Sequence, residues 1–448
     1  MYLFRSIIAT GSAFRSVENK QFENMVQLLR PGTVLPTRQL VSGTLLDEIY
    51  DIEKAKVSSL VTGLEGTLLV DGWSDLTNHP VIGVAFVANG QCYLVTTVDT
   101  TGTPHTSENL ADIVKEQKLE CEATYNVKIG SLVCDNAANM VRMREILTND
   151  IGIHVFGCGA HFLNLLAKDI CQSKETKTAL SKVLEIVKYL RNTHSALAKL
   201  REKQLRKPPI PVETRWNSQQ EMVKYFISNW MEIVCIISSL LNRRDRLYQY
   251  VEDIQLKRVC MDMLEVLDPV ASALDSMQKD STTVSDSVVI WKHLLEKCPG
   301  SHKEFVVTRM NMAISPAVMA ANVLDHRYQG SKLTSIEMTA AFDYIKNYSP
   351  GAFPQVMIYM AKEAPFSSNL FGKDYENISA TSWWKTGRRL GFPDDLVNVA
   401  LPLVAAASSS AGLERQFSTL GFTYGTLRAQ LGVEKAGKIA FLYRELNK

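Results

Sequence analysis

Two aspartates, Asp71 and Asp135, each directly follow a short apolar run, Thr67-Leu68-Leu69-Val70 and the stretch from Val127 to Cys134. Carboxylates at the ends of adjacent strands meet above the edge of a sheet. Two or three such oxygens hold hard divalent cations, which prefer carboxylate and water ligands. A pair of ions about 3.5–4 Å apart activates a nucleophile and stabilises the leaving oxygen in phosphodiester cleavage. Taken singly, Asp71-Gly72 and Asp135-Asn136 are also ordinary turn chemistry. The pair gains meaning only from elements that bring the two together. Cys158 and His161 have the spacing of half a zinc site, but no second pair with suitable spacing follows, so zinc is not expected. A structural role is expected instead, with Cys158 packed under a sheet and His161 hydrogen-bonded near its edge. From Lys188 to Arg215 there are eight Lys or Arg against two Glu, a local charge of +6. That stretch reads as a solvated helix and loop or as a phosphate-contacting surface.

The elements that must position these residues are legible in outline. Residues 1–60 read as helix and loop, with Phe22, Met25, Val26 and Leu29 at helical spacing before Arg30-Pro31-Gly32 and a second short helix over 43–50. Thr67–Val70, Val81–Val87 and Tyr93–Val98 read as three antiparallel strands, the last two joined at the hairpin signal Asn89-Gly90. A helix is expected from Thr106 to Tyr125, capped by Thr106 or Ser107, with Leu110, Ile113, Val114 and Leu119 as its buried stripe. A strand at 127–134, a helix at 138–147, a strand at 153–156 and a helix at 161–171 follow. The order β-β-β-α-β-α-β-α fits a mixed sheet flanked by helices. From about 172 to 380 only helical periods occur, as at Leu180, Val183, Leu184, Ile186, Val187 and Leu190. Further helical periods occupy 396–406, 413–420 and 433–446.

The chain has 448 residues, 46% hydrophobic and 21% charged, which suits a globular protein of several structural units. No apolar run approaches the ~18 residues of a membrane span, and no membrane partner is expected. The start, Met1 to Ile8, is apolar but short and interrupted by Arg5, so an intracellular address is expected. The eight cysteines are scattered and form no C-x-x-C pair, so neither a disulfide framework nor an N-terminal zinc finger is expected. A net charge of +2 does not by itself point to nucleic acid.

Five motifs, in order, resemble those of the hAT superfamily of cut-and-paste DNA transposases, over roughly residues 60–448. Asp71-Gly72-Trp73-Ser74 resembles the family's first catalytic Asp motif, and Cys134-Asp135-Asn136-Ala137-Ala138-Asn139-Met140 the second. Cys158-Gly159-Ala160-His161 resembles its C-x-x-H element, Thr214-Arg215-Trp216-Asn217-Ser218 its Arg-Trp motif, and Glu414-Arg415-Gln416-Phe417-Ser418 the segment with the third acidic residue. The stretch from Leu427-Arg428 through Val433-Glu434-Lys435-Ala436 looks like the family's C-terminal dimerisation region, and Leu324-Asp325-His326-Arg327-Tyr328 is similar to its Leu-Asp-Pro-Arg-Tyr landmark. Three departures stand out. Leu413 is bulkier than the usual small residue and is expected to shift the helix start. His326 replaces a proline and is expected to loosen a turn. The chain begins about where the BED-type zinc finger of many relatives ends.

The resemblance implies a fold of α/β plus α class: an RNase H-like mixed β-sheet core, interrupted by a large all-α insertion domain, with a helical C-terminal region. The corresponding boundaries are a helical segment at 1–60, a DUF659-like first part of the core at 61–171, the insertion at 172–380, and a C-terminal dimerisation region at 381–448 that completes the core. It further implies an acidic triad of Asp71, Asp135 and Glu414 holding two Mg²⁺ or Mn²⁺ ions. Arg215 and Trp216 would contact DNA, with Trp216 stacking on a base drawn out of a hairpin. The implied reaction is DNA strand cleavage, hairpin closure on the flanking DNA and transfer of the excised end. DNA, a homodimer or higher homo-oligomer and a nuclear address follow from the same resemblance. The alternative is a domesticated, catalytically silent nuclear protein that associates with DNA and dimerises through its C-terminal region. Leu396, Val397, Val399, Ala400 and Leu403, with Ile439, Leu442, Tyr443 and Leu446, could pair between chains or pack within one.

Overall fold

The computed structural model describes residues 2–74, 80–211, 216–423 and 432–448; the side chains of Ser74, Trp216, Phe422 and Thr423 are outside the description. The chain divides into a unit made of 1–158, 278–288 and 315–448, and a second made of 159–277 and 289–314.

The first unit holds a mixed sheet of five strands: β1 (Glu65–Ser74), β2 (Pro80–Ala88), β3 (Gln91–Asp99), β4 (Lys128–Cys134) and β5 (His154–Gly157). Their order across the sheet is β3-β2-β1-β4-β5. β1, β2 and β3 pair antiparallel, while β4 lies parallel to β1 and β5 parallel to β4. The β2–β3 hairpin turns at Asn89 and Gly90, both with positive φ (50° and 71°), the backbone that an Asn-Gly turn supplies at low cost. β1 is longer than its apolar run. It continues past Asp71 to Ser74 because Trp73 and its neighbours pair with β2, although its pairing with β4 ends at Val70 opposite Cys134.

The helices of this unit used below are α1 (Thr44–Val61), α2 (Ser107–Tyr125), α3 (Ala138–Ile151), α4 (Asp394–Ala405), α5 (Ala411–Thr423) and α6 (Val433–Leu446). α1 runs eleven residues beyond the short helix expected there, as its end at Val61 against the expected residue 50 shows. Thr106 caps α2 by accepting from the Asn109 N–H. Its buried stripe is Leu110, Val114, Gln117, Cys121 and Tyr125, whereas Leu119 is exposed. A helical repeat of 3.6 carries the stripe through Gln117 and Cys121 and leaves Leu119 off it, which corrects the sequence expectation. Phe86 on β2 meets Tyr125 of α2 at 5.1 Å between rings, while Gly83, of opposite parity on the same strand, meets α5. Alternate residues of a strand face opposite sides, so helices cover both faces of the sheet.

Most of the apolar stripe residues of the C-terminal region are already covered within the chain, with Tyr443 and Leu446 half-buried. Leu396, Val397, Val399, Ala400 and Leu403 of α4 are buried, as are Ile439 and Leu442 of α6. α4 packs on β1 and β4, and α6 packs on β3, α1 and α5. Those buried side chains cannot also form a face between two copies.

The second unit is built from helices throughout its described residues. Met222, Val223 and Phe226 of the helix Trp216–Ser228 and Ile233, Ile236 and Ile237 of the helix Trp230–Leu240 lie in its core. Among the described residues no single helix is long and apolar enough to cross a membrane; these two helices reach that length and apolarity only as a pair bent by 75°.

Candidate active site

β1 and β4 are parallel neighbours in register, with Val70 opposite Cys134. One residue further on each strand stand Asp71 and Asp135. Adjacent strands lie about 4.8 Å apart, so the register sets these two aspartates side by side at the carboxyl edge of the sheet. One oxygen of each is steered by backbone. Asp71 Oδ1 accepts from the Gly72 N–H at 2.8 Å, and Asp135 Oδ1 from the Ala137 N–H at 3.1 Å.

Glu414 comes from a segment more than 270 residues beyond Asp135, as the numbering shows. Its helix, α5, lies on β1, β2 and β3. Asp71, Trp73 and Thr67 alternate onto the face that carries α5. The Trp73 and Phe417 rings stack at 5.8 Å with 12° between planes. Gly83, opposite Asp71 on β2, makes this approach possible: a Cβ there would lie 2.3 Å from Phe417 Cε1 and 3.2 Å from Leu413 Cδ1. Leu413 is fully buried in this contact and α5 starts two residues before it, at Ala411. Glu414 follows Leu413 on the exposed side of the helix.

The electrostatics report the same convergence. Burial pushes the Asp71 carboxyl up to about 7, and the charges of Glu414 and then Asp135 push in the same direction, against the Gly72 N–H. Two acids from distant parts of the chain, Glu414 and Asp135, therefore act on the Asp71 carboxyl. A divalent cation placed among them would relieve that repulsion, and the oxygen donors suit Mg²⁺ or Mn²⁺. Among the described residues, however, no three His, Cys, Asp or Glu side chains converge closely enough to ligate a single ion.

The loop bearing Asp135 is held by residues that sequence reasoning passed over. Arg144, on α3, donates to the Asp135 carbonyl oxygen at 2.7 Å, to Asn136 Oδ1 at 3.3 Å and to Cys134 Sγ at 3.4 Å. Asn136 Nδ2 donates to the Cys158 carbonyl oxygen at 3.4 Å. Cys158 extends the β4–β5 pairing through its N–H to the Cys134 carbonyl oxygen (2.8 Å), and its Sγ accepts from the Ser410 N–H at 3.5 Å, just ahead of α5. The buried thiol therefore links the Asp135 loop to the segment that launches Glu414. No spacing signal in the sequence marks Arg144 for this task.

Comparison with protein families identifies two domains. Residues 36–186 match the model of a domain of unknown function, DUF659, and residues 156–260 match the ZBED1 RNase-like helical domain. Together they span residues 36–260, about half the chain. The two matched domains are consistent with a hAT-type transposase. Comparison with curated proteins finds no match.

The first two acids and Cys158 lie in the DUF659 match. His161, half-buried, opens the helix Gly159–Ile170 where the two matches overlap. Arg215 is outside the described residues; Trp216 begins the helix Trp216–Ser228, with its side chain undescribed. Its neighbour Asn217 donates from Nδ2 to Asp275 Oδ1 at 2.7 Å. Leu427 and Arg428 also fall outside the described residues. His326, expected to loosen its turn, is instead held. It is buried, stacks on Trp383 at 5.0 Å and 2°, and its Nε2 meets the Tyr375 carbonyl oxygen at 3.0 Å.

Proposed function

We propose that this protein is a DNA strand-cleaving and strand-transferring enzyme of the DDE type, with Asp71, Asp135 and Glu414 holding two Mg²⁺ or Mn²⁺ ions. The observation that carries this reading is the parallel register of β1 and β4, which puts Asp71 and Asp135 at neighbouring strand ends, with the charge of Glu414 acting on the same Asp71 carboxyl. A buried strand-end carboxylate with two further acids acting on it is a site that a divalent cation would relieve. The strand order β3-β2-β1-β4-β5, with an antiparallel meander followed by parallel strands, supports an RNase H-like core. Bound ions would supply an activated attacking oxygen and charge stabilisation at the leaving oxygen. The chain's own residues do the rest. β1 and β4 fix two carboxylates at neighbouring positions, α5 delivers the third, and Arg144 holds the Asp135 loop. Carboxylates suit this task because they bind the ions without competing as nucleophiles.

DNA is the substrate in this reading, with Arg215 and Trp216 as contacts and a nuclear address. A homodimer or higher oligomer formed through 381–448 has the outward faces of that region available, since the inward stripes are core. A second reading, a catalytically silent DNA-associated descendant, draws on the absence of a converged three-ligand cluster among the described residues. One experiment separates them: Mn²⁺-dependent cleavage of pre-nicked DNA by the wild type and by Asp135→Ala. Cleavage that needs Asp135 supports the enzyme. DNA association without cleavage in either protein leaves the silent descendant.

A further inference from the structure

The Leu324-Asp325-His326-Arg327-Tyr328 element lies far along the chain from the three acids, yet its polar side chains end on a segment that reaches α5. Asp325 is fully buried. Its Oδ2 accepts from Ser285 Oγ at 2.6 Å and from Arg327 at 2.6 Å, and its Oδ1 accepts from Arg327 Nε at 2.9 Å. Arg327 also donates to Asp286 Oδ1 at 3.0 Å, and Tyr328 donates its hydroxyl to the same oxygen at 2.6 Å. The other oxygen of Asp286 accepts from the Thr283 N–H at 2.8 Å and from Thr283 Oγ1 at 2.9 Å.

Thr283 is the contact that carries this outward. It pairs antiparallel with Ala407 in a lone β-bridge, with the Val284 N–H donating to the Ala406 carbonyl oxygen (2.9 Å) and the Ser408 N–H to that of Thr282 (3.0 Å). Residues 406–408 are the lead-in to α5. On their other side the Ala407 N–H donates to Thr67 Oγ1 of β1 at 3.0 Å. The near end of the same segment grips α5 itself. Arg415, next to Glu414, donates to the Gln278 carbonyl oxygen at 2.9 Å and pairs with Asp280. Gly412 sits so close that a Cβ there would lie 2.7 Å from Asp280 Oδ1 and 2.9 Å from Cys92 Sγ.

We propose that the Asp325–Arg327–Asp286 cluster is a brace that sets Glu414 over Asp71 and Asp135, acting through the pairing of 282–284 with 406–408, and that Arg327 is a positioning residue for the metal-dependent reaction. The inference rests on the triad reading above. Side chains that orient ligands without touching the metal typically change metal affinity or activity by about 10–100-fold when lost. Arg327 qualifies through its planar fork, which reaches both carboxylates and which lysine cannot reproduce.

The test compares the full-length wild type with Arg327→Lys, which keeps the charge, and Tyr328→Phe, which removes one bond to Asp286. Amide hydrogen exchange is followed at temperatures well below unfolding. Arg327→Lys is expected to speed exchange across 406–423 by about tenfold or more, Tyr328→Phe by less, with 65–71 and 128–134 unchanged. Mn²⁺ affinity, read by the ion's own paramagnetic resonance, is expected to weaken by about tenfold. In cleavage assays kcat falls while the KM for DNA holds, and excess Mn²⁺ restores part of the rate. Unchanged exchange at 406–423, or equal acceleration in β1 and β4, overturns the brace, because Arg327 then serves only general stability. Mn²⁺ binding that is insensitive to Asp71→Asn overturns the triad reading instead, and the exchange data still decide the brace.

Discussion

Replacing Asp71 by asparagine should make the metal-free protein more stable at alkaline pH and leave it little changed in acid. In the folded protein the carboxyl is pushed from its ordinary 3.8 up to about 7, first by burial and then by Glu414 and Asp135. An unfolded chain releases that proton near pH 4. Between those two values the folded state holds a proton that the unfolded state has lost. The contribution of Asp71 to stability is therefore full below pH 4, declines as pH rises, and is gone above about 7. Each pH unit is worth about 1.4 kcal/mol, so the three-unit gap amounts to about 4 kcal/mol. Over the practical window from pH 5 to pH 8 two of those units count, or about 3 kcal/mol. Asparagine keeps the acceptor for the Gly72 N–H and has no charge to desolvate.

The assay is urea unfolding of wild type and Asp71→Asn in chelator at pH 5 and pH 8. The stability of the variant relative to wild type should rise by about 3 kcal/mol between the two. Glu414→Gln removes one of the two charges that raise the carboxyl, and its stability should depend less on pH over the same window than that of wild type. Mn²⁺ should reverse the pattern in the wild type, stabilising it more at pH 8, where the carboxylate is available to bind. A relative stability that stays constant from pH 5 to pH 8 would refute the reasoning, since it would mean that Asp71 ionises freely and is not crowded by the other two acids.

Two further outcomes follow from the contacts around the site. Gly83→Ala places a Cβ 2.3 Å from Phe417 Cε1, so it should cost about 1–3 kcal/mol in urea unfolding, and much less in a Phe417→Leu background where the ring is gone. Arg144→Met should leave the melting temperature within a few degrees of wild type but lower Mn²⁺-dependent cleavage about tenfold or more, because the Asp135 loop loses its donor to the backbone; equal cleavage rates would remove Arg144 from the site.

Local chemistry made part of this structure readable in advance. Asn89-Gly90 specified a hairpin, Thr106 a helix start, and the runs at 67–70 and 127–134 the two strands that carry the aspartates. Each depends on residues within a few positions of one another. What escaped depends on partners elsewhere. β1 runs on through Asp71-Gly72-Trp73, a stretch with no apolar run, because β2 supplies its hydrogen bonds. The stripes of α4 and α6 could have met a second copy as well as the chain's own sheet, since periodicity marks a face as apolar without saying what covers it. The brace was invisible for the same reason: Asp286, Arg327 and Arg415 are ordinary charged residues until the fold makes them neighbours.

The two motifs most separated in sequence explain each other once the sheet is built. Trp73 follows Asp71 by two residues and so shares its face; Phe417 follows Glu414 by three and so lies one helical turn along α5. The stack of these two rings fixes the axial position of α5 on β1, and that position decides how near Glu414 can come to Asp71. Gly83 sets the distance of approach by leaving room for the ring directly opposite Asp71. The aromatic beside each acid is thus the packing half of a pair whose other half is charge. A carboxylate at the end of β1 with no ring two residues later would have nothing to draw the third acid to it, and a glutamate on α5 without Phe417 would sit on a helix free to slide. This coupling makes the acids and the aromatics interdependent: loss of either ring should relax the Asp71 carboxyl toward its ordinary value as surely as loss of Glu414 does.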